Sequence, residues 1–209
     1  MAGKYKLFSR ILVGIHLLTT VTLTALLTFP TWVHTEGTYE FSGNLFKVTD
    51  GKDTYNNQRY SVLREAFCTL EEADNFAQNS CEIFKRLEHG MYLMIGAGIS
   101  CILLNTLSSV ILTKLFKSIE PWYALISEAI VLITYTSAIA SYQGVSSVSY
   151  HDTCINRLCP GLGATLAMSM CIIIALQSLF TALVVFYEFY RQKSAQNLLN
   201  RNREMNTNI

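Results

Sequence analysis

Four long apolar runs constrain what this chain can fold into more than any other feature. They cover residues 11–29, 91–116, 121–142 and 162–187. Each run supplies the ~20 residues that an α-helix needs to cross a bilayer. Because backbone groups in lipid must be hydrogen-bonded within their own segment, the runs predict helices rather than isolated strands. The sequence therefore predicts a membrane α-helical protein built on a four-helix transmembrane bundle.

The composition also favours a membrane protein over a soluble one. Charged residues make up 15% of the 209 residues, whereas a soluble domain usually carries about 25%. The net charge of +1 gives no indication of nucleic-acid binding. The first run follows basic residues, as a signal peptide would, but it is too long for one and leads into Pro30 and Trp32 instead of a cleavage site. We expect it to be retained as a span.

The positions of Lys and Arg near the ends of the runs predict an orientation, because basic residues favour the cytosolic side. Arg157 is the only Lys or Arg residue in the loop at 143–161. The basic residues on the opposite side are Lys4, Lys6, Arg10, Lys114, Lys117, Arg191, Lys193, Arg201 and Arg203. Both termini are therefore expected in the cytosol, with loops 30–90 and 143–161 outside and a cytosolic tail at 188–209.

Cysteine placement agrees with this orientation. Cys68 and Cys81 lie in the first predicted outer loop, and Cys154 and Cys159 lie in the second. Four cysteines allow three pairings, of which the simplest joins Cys68 to Cys81 and Cys154 to Cys159 in an oxidising compartment. The alternative is four free or metal-binding thiols. The histidines considered with them are His89 and His151. Since no zinc-type C-x-x-C spacing is present, we predict no metal site.

The long outer loop divides into a sheet half and a helix half. Residues 38–48 place Tyr39 and Phe41 on one strand face, with a turn at Gly43-Asn44 before Leu45 and Phe46. Residues 60–70 instead repeat apolar side chains at helical spacing. We expect a small extracellular antiparallel β-sheet and an extracellular helix on the bundle, held by the first cysteine pair.

Two ionisable residues lie inside the spans at matching depth. At ~1.5 Å per helical residue, His16 lies about 9 Å beyond Arg10, and Glu128 lies about 10 Å beyond Pro121. Because such groups in a membrane usually face a partner or water, one hypothesis is a His16–Glu128 contact. The alternatives are separate hydrogen bonding of each residue, contact of Glu128 with a partner protein, and a proton pathway. A second polar pair at matching depth is Asn105 and Gln177.

This plan of spans, termini and loops resembles the claudin-like superfamily, which contains claudins, stargazin-type channel subunits, peripheral myelin protein relatives and clarins. The stretch "FPTWV" resembles the family's Pro-x-Trp at the end of the first span, and "PGLGATLAMSM" resembles the small-residue start of its fourth. The resemblance implies that Trp32 wedges the sheet against the bundle. The simpler interpretation is that Trp32 is an anchor at the membrane interface, and the two roles are compatible. In "NLFK", Leu45 and Phe46 stand at the family's G-L-W position, and Phe46 is expected to pack beneath the sheet in place of the Trp.

The sequence contains no phosphate loop, metalloprotease helix or serine elbow, so we expect no enzyme activity and no cofactor. The resemblance implies a plasma-membrane protein that acts by contact with other membrane proteins, as an auxiliary subunit of an ion channel or receptor. One alternative is a cell–cell junction or adhesion component that self-associates, and another is a small transporter. The Thr207-x-Ile209 ending has the form of a ligand for a PDZ-domain scaffold, and the basic segment before it is expected in solvent or on anionic lipid.

Overall fold

The computed structural model describes residues 2–37, 40–51, 56–69, 75–113, 122–148, 153–155 and 157–207. Several residues named above fall outside these ranges, namely Tyr39, Lys114, Lys117, Pro121, His151 and Ile209. Within them the chain forms, in order, α1 (Ala2–Leu27), β1 (Val33–Thr35), β2 (Phe41–Gly43), β3 (Val48–Gly51), α2 (Tyr60–Cys68), α3 (Asn75–Leu112), α4 (Trp122–Ser146), β4 (Cys159–Pro160) and α5 (Leu162–Thr207).

Four of these helices are long and apolar enough to cross a membrane, as expected of a multi-pass membrane protein. Their candidate spans are Leu7–Leu27, Gln78–Leu112, Trp122–Ser146 and Leu162–Leu198. The helices α1, α3 and α5 extend past the apolar runs that predicted them. The difference has a physical reason, because an apolar run marks the part of a helix that suits lipid, whereas the helix itself continues as long as the backbone hydrogen bonds do.

The strands form one antiparallel sheet in the order β3-β2-β1-β4. Its central pairs align Val33 with Gly43 on one side and with Pro160 on the other. Strand β4 therefore joins the sheet from the far end of the sequence, just before α5 begins. The turn after β2 is wider than the predicted two-residue turn, because the Asn44 side-chain oxygen accepts hydrogen bonds from the backbone N–H groups of Phe46 and Lys47.

Helix α2 packs beside the sheet and against the first part of α3. The Phe84 ring contacts the rings of Phe41, Tyr60 and Phe67 at centroid distances of 5.8, 6.3 and 5.7 Å. The Cys68–Cys81 disulfide joins α2 to α3, and Arg64 lies 2.8 Å from the buried carboxylate of Glu88. We call the four strands, the loops that flank them and α2 together the head of the molecule.

Trp32 connects the head to the bundle and is 1% exposed. Its indole Nε1–H donates to the Leu26 carbonyl at 2.9 Å, and its ring meets Tyr142 edge-on at 5.6 Å. The glycines at the start of α5 allow this approach, because a Cβ on Gly163 would lie 2.9 Å from the Thr31 oxygen and 3.0 Å from the Trp32 ring. Trp32 is therefore buried at the junction of the head and the bundle, and the wedge role that the resemblance implies stays a prediction.

The structure places Leu45, and not Phe46, in the buried position next to the sheet. Leu45 is 2% exposed and belongs to the main apolar core, whereas Phe46 is 38% exposed. The expectation for Phe46 therefore has to be corrected. The Asn44 hydrogen bonds fix the backbone of the turn, and successive side chains there point in different directions, so only one of the two residues can face inward.

Candidate functional site

The most unusual feature of the bundle is a layer of buried polar side chains contributed by all four long helices. We call it the polar layer. Its members are each 0–2% exposed. They are His16, Thr19, Asn105, Ser108, Glu128, Gln177 and Thr181.

The polar layer separates two apolar clusters. The larger cluster includes Leu23, Cys101, Val131 and Ile174 and continues into the head. The smaller one consists of Leu12, Ile111, Leu112 and Ala124. On every long helix the polar residues have apolar residues on both sides along the chain. Those on one side contact the larger cluster, and those on the other side contact the smaller one. The four helices are thus aligned so that their polar segments coincide.

Helical spacing explains why each helix can contribute to this one level. Residues three or four apart lie on the same helix face, and this is the separation of His16 from Thr19, of Asn105 from Ser108, and of Gln177 from Thr181. The hypothesis from the sequence considered only one polar residue per helix. It missed Thr19, Ser108 and Thr181, although their spacing from the recognised residues was a usable signal.

The structure brings His16 and Glu128 together, as one of the hypotheses from the sequence proposed. The His16 Nε2 atom lies 3.2 Å from Glu128 Oε1, and both side chains are fully buried. The two groups together are electrically neutral when one proton is held either on the Nε2 atom of the imidazole or on the carboxylate. Removal of that proton would leave an uncompensated buried charge, which is costly in a membrane interior.

Gln177 is the hub of the layer. Its Nε2 group donates to Asn105 Oδ1 at 2.7 Å and to Glu128 Oε2 at 2.8 Å. Its Oε1 atom accepts a hydrogen bond from the Thr19 hydroxyl at 2.7 Å. One side chain from α5 is therefore bonded to α1, α3 and α4. The pair Asn105 and Gln177, which the sequence placed at matching depth, is in direct contact.

The layer is closed to solvent. His16, Asn105 and Glu128 are all 0% exposed, so no aqueous path reaches them in this conformation. Four polar atoms of the layer find no protein hydrogen-bond partner within the described ranges, namely His16 Nδ1, Asn105 Nδ2, Ser108 Oγ and Glu128 Oε1. In chemical terms the layer can fix the register of the four helices and hold a proton, but it does not present a reactive group to a soluble substrate.

The head, in contrast, has an open surface. Three large apolar side chains are exposed there, namely Phe46 at 38%, Val62 at 49% and Ile155 at 58%. Beside the sheet lies an open cavity of about 460 Å³. It is lined by His34, Thr35, Glu36, Glu40, Phe41, Ser42, Asp50 and Gly51. The head is also cross-linked, because Cys154 and Cys159 form a second disulfide at the β4 end of the sheet.

The remaining predicted site residues are those of the PDZ-like ending. Thr207 is the last residue of α5, well beyond Thr181, the last member of the polar layer along the chain, and Ile209 lies outside the described part of the chain. The predicted PDZ-like ending therefore stays a prediction from the sequence.

Comparison with known proteins gives no further guide, since no protein-family model and no curated protein sequence matches the chain. Four apolar helices, a small antiparallel sheet and disulfides are compatible with a claudin-like fold.

Proposed function

We propose that this is a claudin-like, non-enzymatic membrane protein that acts by protein–protein contact, as an auxiliary subunit docked on an ion channel or receptor. In this proposal it resides in the plasma membrane with both termini in the cytosol and the head outside. The Thr207-x-Ile209 ending would then be available to a PDZ-domain scaffold on the cytosolic side.

The observation that carries the proposal is the contrast between the head and the bundle interior. The head is cross-linked by two disulfides and joined to the bundle by Trp32, yet it exposes large apolar side chains at Phe46 and Ile155. Exposed apolar side chains that lie together on a surface mark protein or membrane interaction sites, and the proposal takes the exposed side chains of the head as candidate contacts. The buried pair of the bundle, His16 and Glu128, is fully enclosed, which argues against the small-transporter alternative, because that function needs a polar cavity.

The test is purification of the tagged protein from its native membranes in nanodiscs, followed by quantitative mass spectrometry. We expect a channel or receptor subunit at a fixed ratio to the tagged chain. Recovery of self-oligomers alone would support the junction or adhesion alternative, and recovery of the tagged chain as a monomer with no partner would contradict docking altogether.

Matched variants locate the contact. Ile155→Ser changes an exposed residue of the head, and Leu198→Ser changes a residue of similar exposure, 62%, near the other end of the molecule. We expect the first to reduce the partner ratio and the second to leave it unchanged, with both variants retaining the helical content of the wild type. Equal effects of the two substitutions would argue against contact through the head.

A further inference from the structure

A histidine of the sheet lies against the second disulfide. Strand β1 pairs with β4 so that His34 stands opposite Cys159. The ligand atoms of His34, Cys154 and Cys159 all lie within 4.8 Å of one another. His34 is far in sequence from the two cysteines, so this cluster exists only because β4 joins the sheet.

We propose that His34, Cys154 and Cys159 form a zinc site when the disulfide between the two cysteines is reduced. Thiolate and imidazole are the ligands that Zn²⁺ prefers in proteins. The proposal concerns a metal site of the head and does not depend on the docking function proposed above. The disulfide and the metal exclude each other, because the same two sulfur atoms serve both.

Small movements of the three side chains would give the geometry that tetrahedral Zn²⁺ coordination requires. Tetrahedral Zn²⁺ with Zn–S distances of about 2.3 Å places two thiolate sulfurs about 3.7 Å apart and an imidazole nitrogen at a similar distance from each. The sulfurs separate once their bond is broken. The His34 nitrogen is already within 4.8 Å of both sulfurs, so a shift of about 1 Å completes the arrangement.

The site also has an accessible side. Cys159 is 2% exposed, whereas His34 and Cys154 are half-buried. A reductant can therefore approach at Cys154. His34 also lines the open cavity beside the sheet, which leaves room for water as the fourth zinc ligand, as in sites with three protein ligands.

The chemistry balances as two steps. First, a dithiol reductant gives two electrons and two protons to the Cys154–Cys159 bond, which yields two thiols, and the reductant becomes a disulfide. Second, Zn²⁺ displaces the two thiol protons to solvent and forms two Zn–S bonds, and neutral His34 donates a nitrogen lone pair. Binding is therefore expected to release protons and to weaken at low pH.

The experiment uses the full-length protein in nanodiscs, carrying Cys68→Ser and Cys81→Ser so that only one cysteine pair remains in the head. It is reduced with a phosphine, freed of the phosphine without air, and titrated with Co²⁺ as a spectroscopic substitute for Zn²⁺. We expect no binding before reduction. After reduction we expect one Co²⁺ per chain with a thiolate-to-cobalt charge-transfer band.

Three further substitutions in this background decide the ligand set. Cys154→Ser should abolish the charge-transfer band, and His34→Gln should weaken Co²⁺ binding at least about tenfold. His89→Gln is the matched control, because His89 is an exposed histidine on α3 and its loss should change nothing.

Several results would overturn the proposal. These are the absence of a stoichiometric band after reduction, binding before reduction, and equal affinities of the His34→Gln and His89→Gln variants. Should the double serine background fail to fold, the same histidine substitutions in the otherwise wild-type chain provide the comparison. There a tenfold weakening by His34→Gln alone supports the site, and equal affinities refute it.

Discussion

Replacing Gln177 by Leu tests whether the polar layer holds the four helices together. The two side chains are similar in size, so the substitution removes hydrogen bonds with little change in packing volume. It deletes the three bonds to Thr19, Asn105 and Glu128. It also leaves their polar atoms without this partner in a site that is closed to water.

The expected magnitude follows from measured interhelical hydrogen bonds in membranes. These average about 0.6 kcal/mol, so three bonds amount to about 2 kcal/mol, with about 5 kcal/mol as an upper bound. A loss of about 2 kcal/mol changes the unfolding equilibrium constant roughly 30-fold. The control is Gln143→Leu, since Gln143 lies on α4 and makes a contact to the Met168 sulfur at 3.1 Å. We expect it to cost less than about 1 kcal/mol.

The assay is equilibrium unfolding from mixed micelles by titration with a denaturing detergent, followed by far-ultraviolet circular dichroism. A double-mutant cycle with Thr19→Val isolates one bond of the hub and should give a coupling of about 0.6 kcal/mol. The reasoning would be refuted if Gln177→Leu were no more destabilising than Gln143→Leu, because the layer would then not contribute to the association of the helices.

Three other predictions concern the head, its junction with the bundle, and the orientation. Burial, with a smaller contribution from nearby Tyr142, raises the pKa of Tyr60 well above its usual value. The stability that this phenol contributes is therefore complete below about pH 10 and is lost as the pH rises further. Tyr60→Phe should flatten the alkaline decline of the unfolding free energy, and an unchanged decline would contradict this. Gly163→Ala should destabilise by about 1–3 kcal/mol, since its Cβ would meet a backbone oxygen at 2.9 Å, whereas Gly96→Ala, with no atom within 4 Å, should be nearly neutral in the same unfolding assay. Arg59→Thr and Asn208→Thr each create an N-x-T sequon. Only the first should be glycosylated in microsomes if the head faces outside, and glycosylation of the second would show that the orientation is the opposite of the one proposed.

Much of the helical part could be predicted because it depends on local patterns. A long apolar run specifies a helix wherever it lies. The depth of a polar residue follows directly from counting helical residues, which is how His16 and Glu128 could be proposed as a pair. The central role of Gln177 was not predictable in the same way, because depth alone does not tell which face of a helix meets which neighbour.

The sheet was predictable only in part, because its register depends on contacts between distant segments. The alternation in 38–48 indicates strand and turn, but nothing in that stretch indicates that Cys159–Pro160 will pair with β1. The histidines considered from the sequence were those in the same loops as the cysteines. His34 lies in the first of these loops as well, but it is far in sequence from Cys154 and Cys159, so no local pattern indicated that it would approach them. Likewise, the choice between Leu45 and Phe46 for the buried position depends on the backbone of the Asn44 turn.

The central claim, that the head docks on a partner in the membrane, is tested most directly by site-specific photo-crosslinking in intact cells. A photoreactive amino acid is placed at Phe46 or Ile155 on the head, and at Leu103, a 65% exposed residue in the span of α3, as the control. The account predicts one adduct of defined mass from each head position, which contains a channel or receptor subunit, and none from the control. Adducts that contain only a second copy of this chain, or no adduct from either head position, would contradict it.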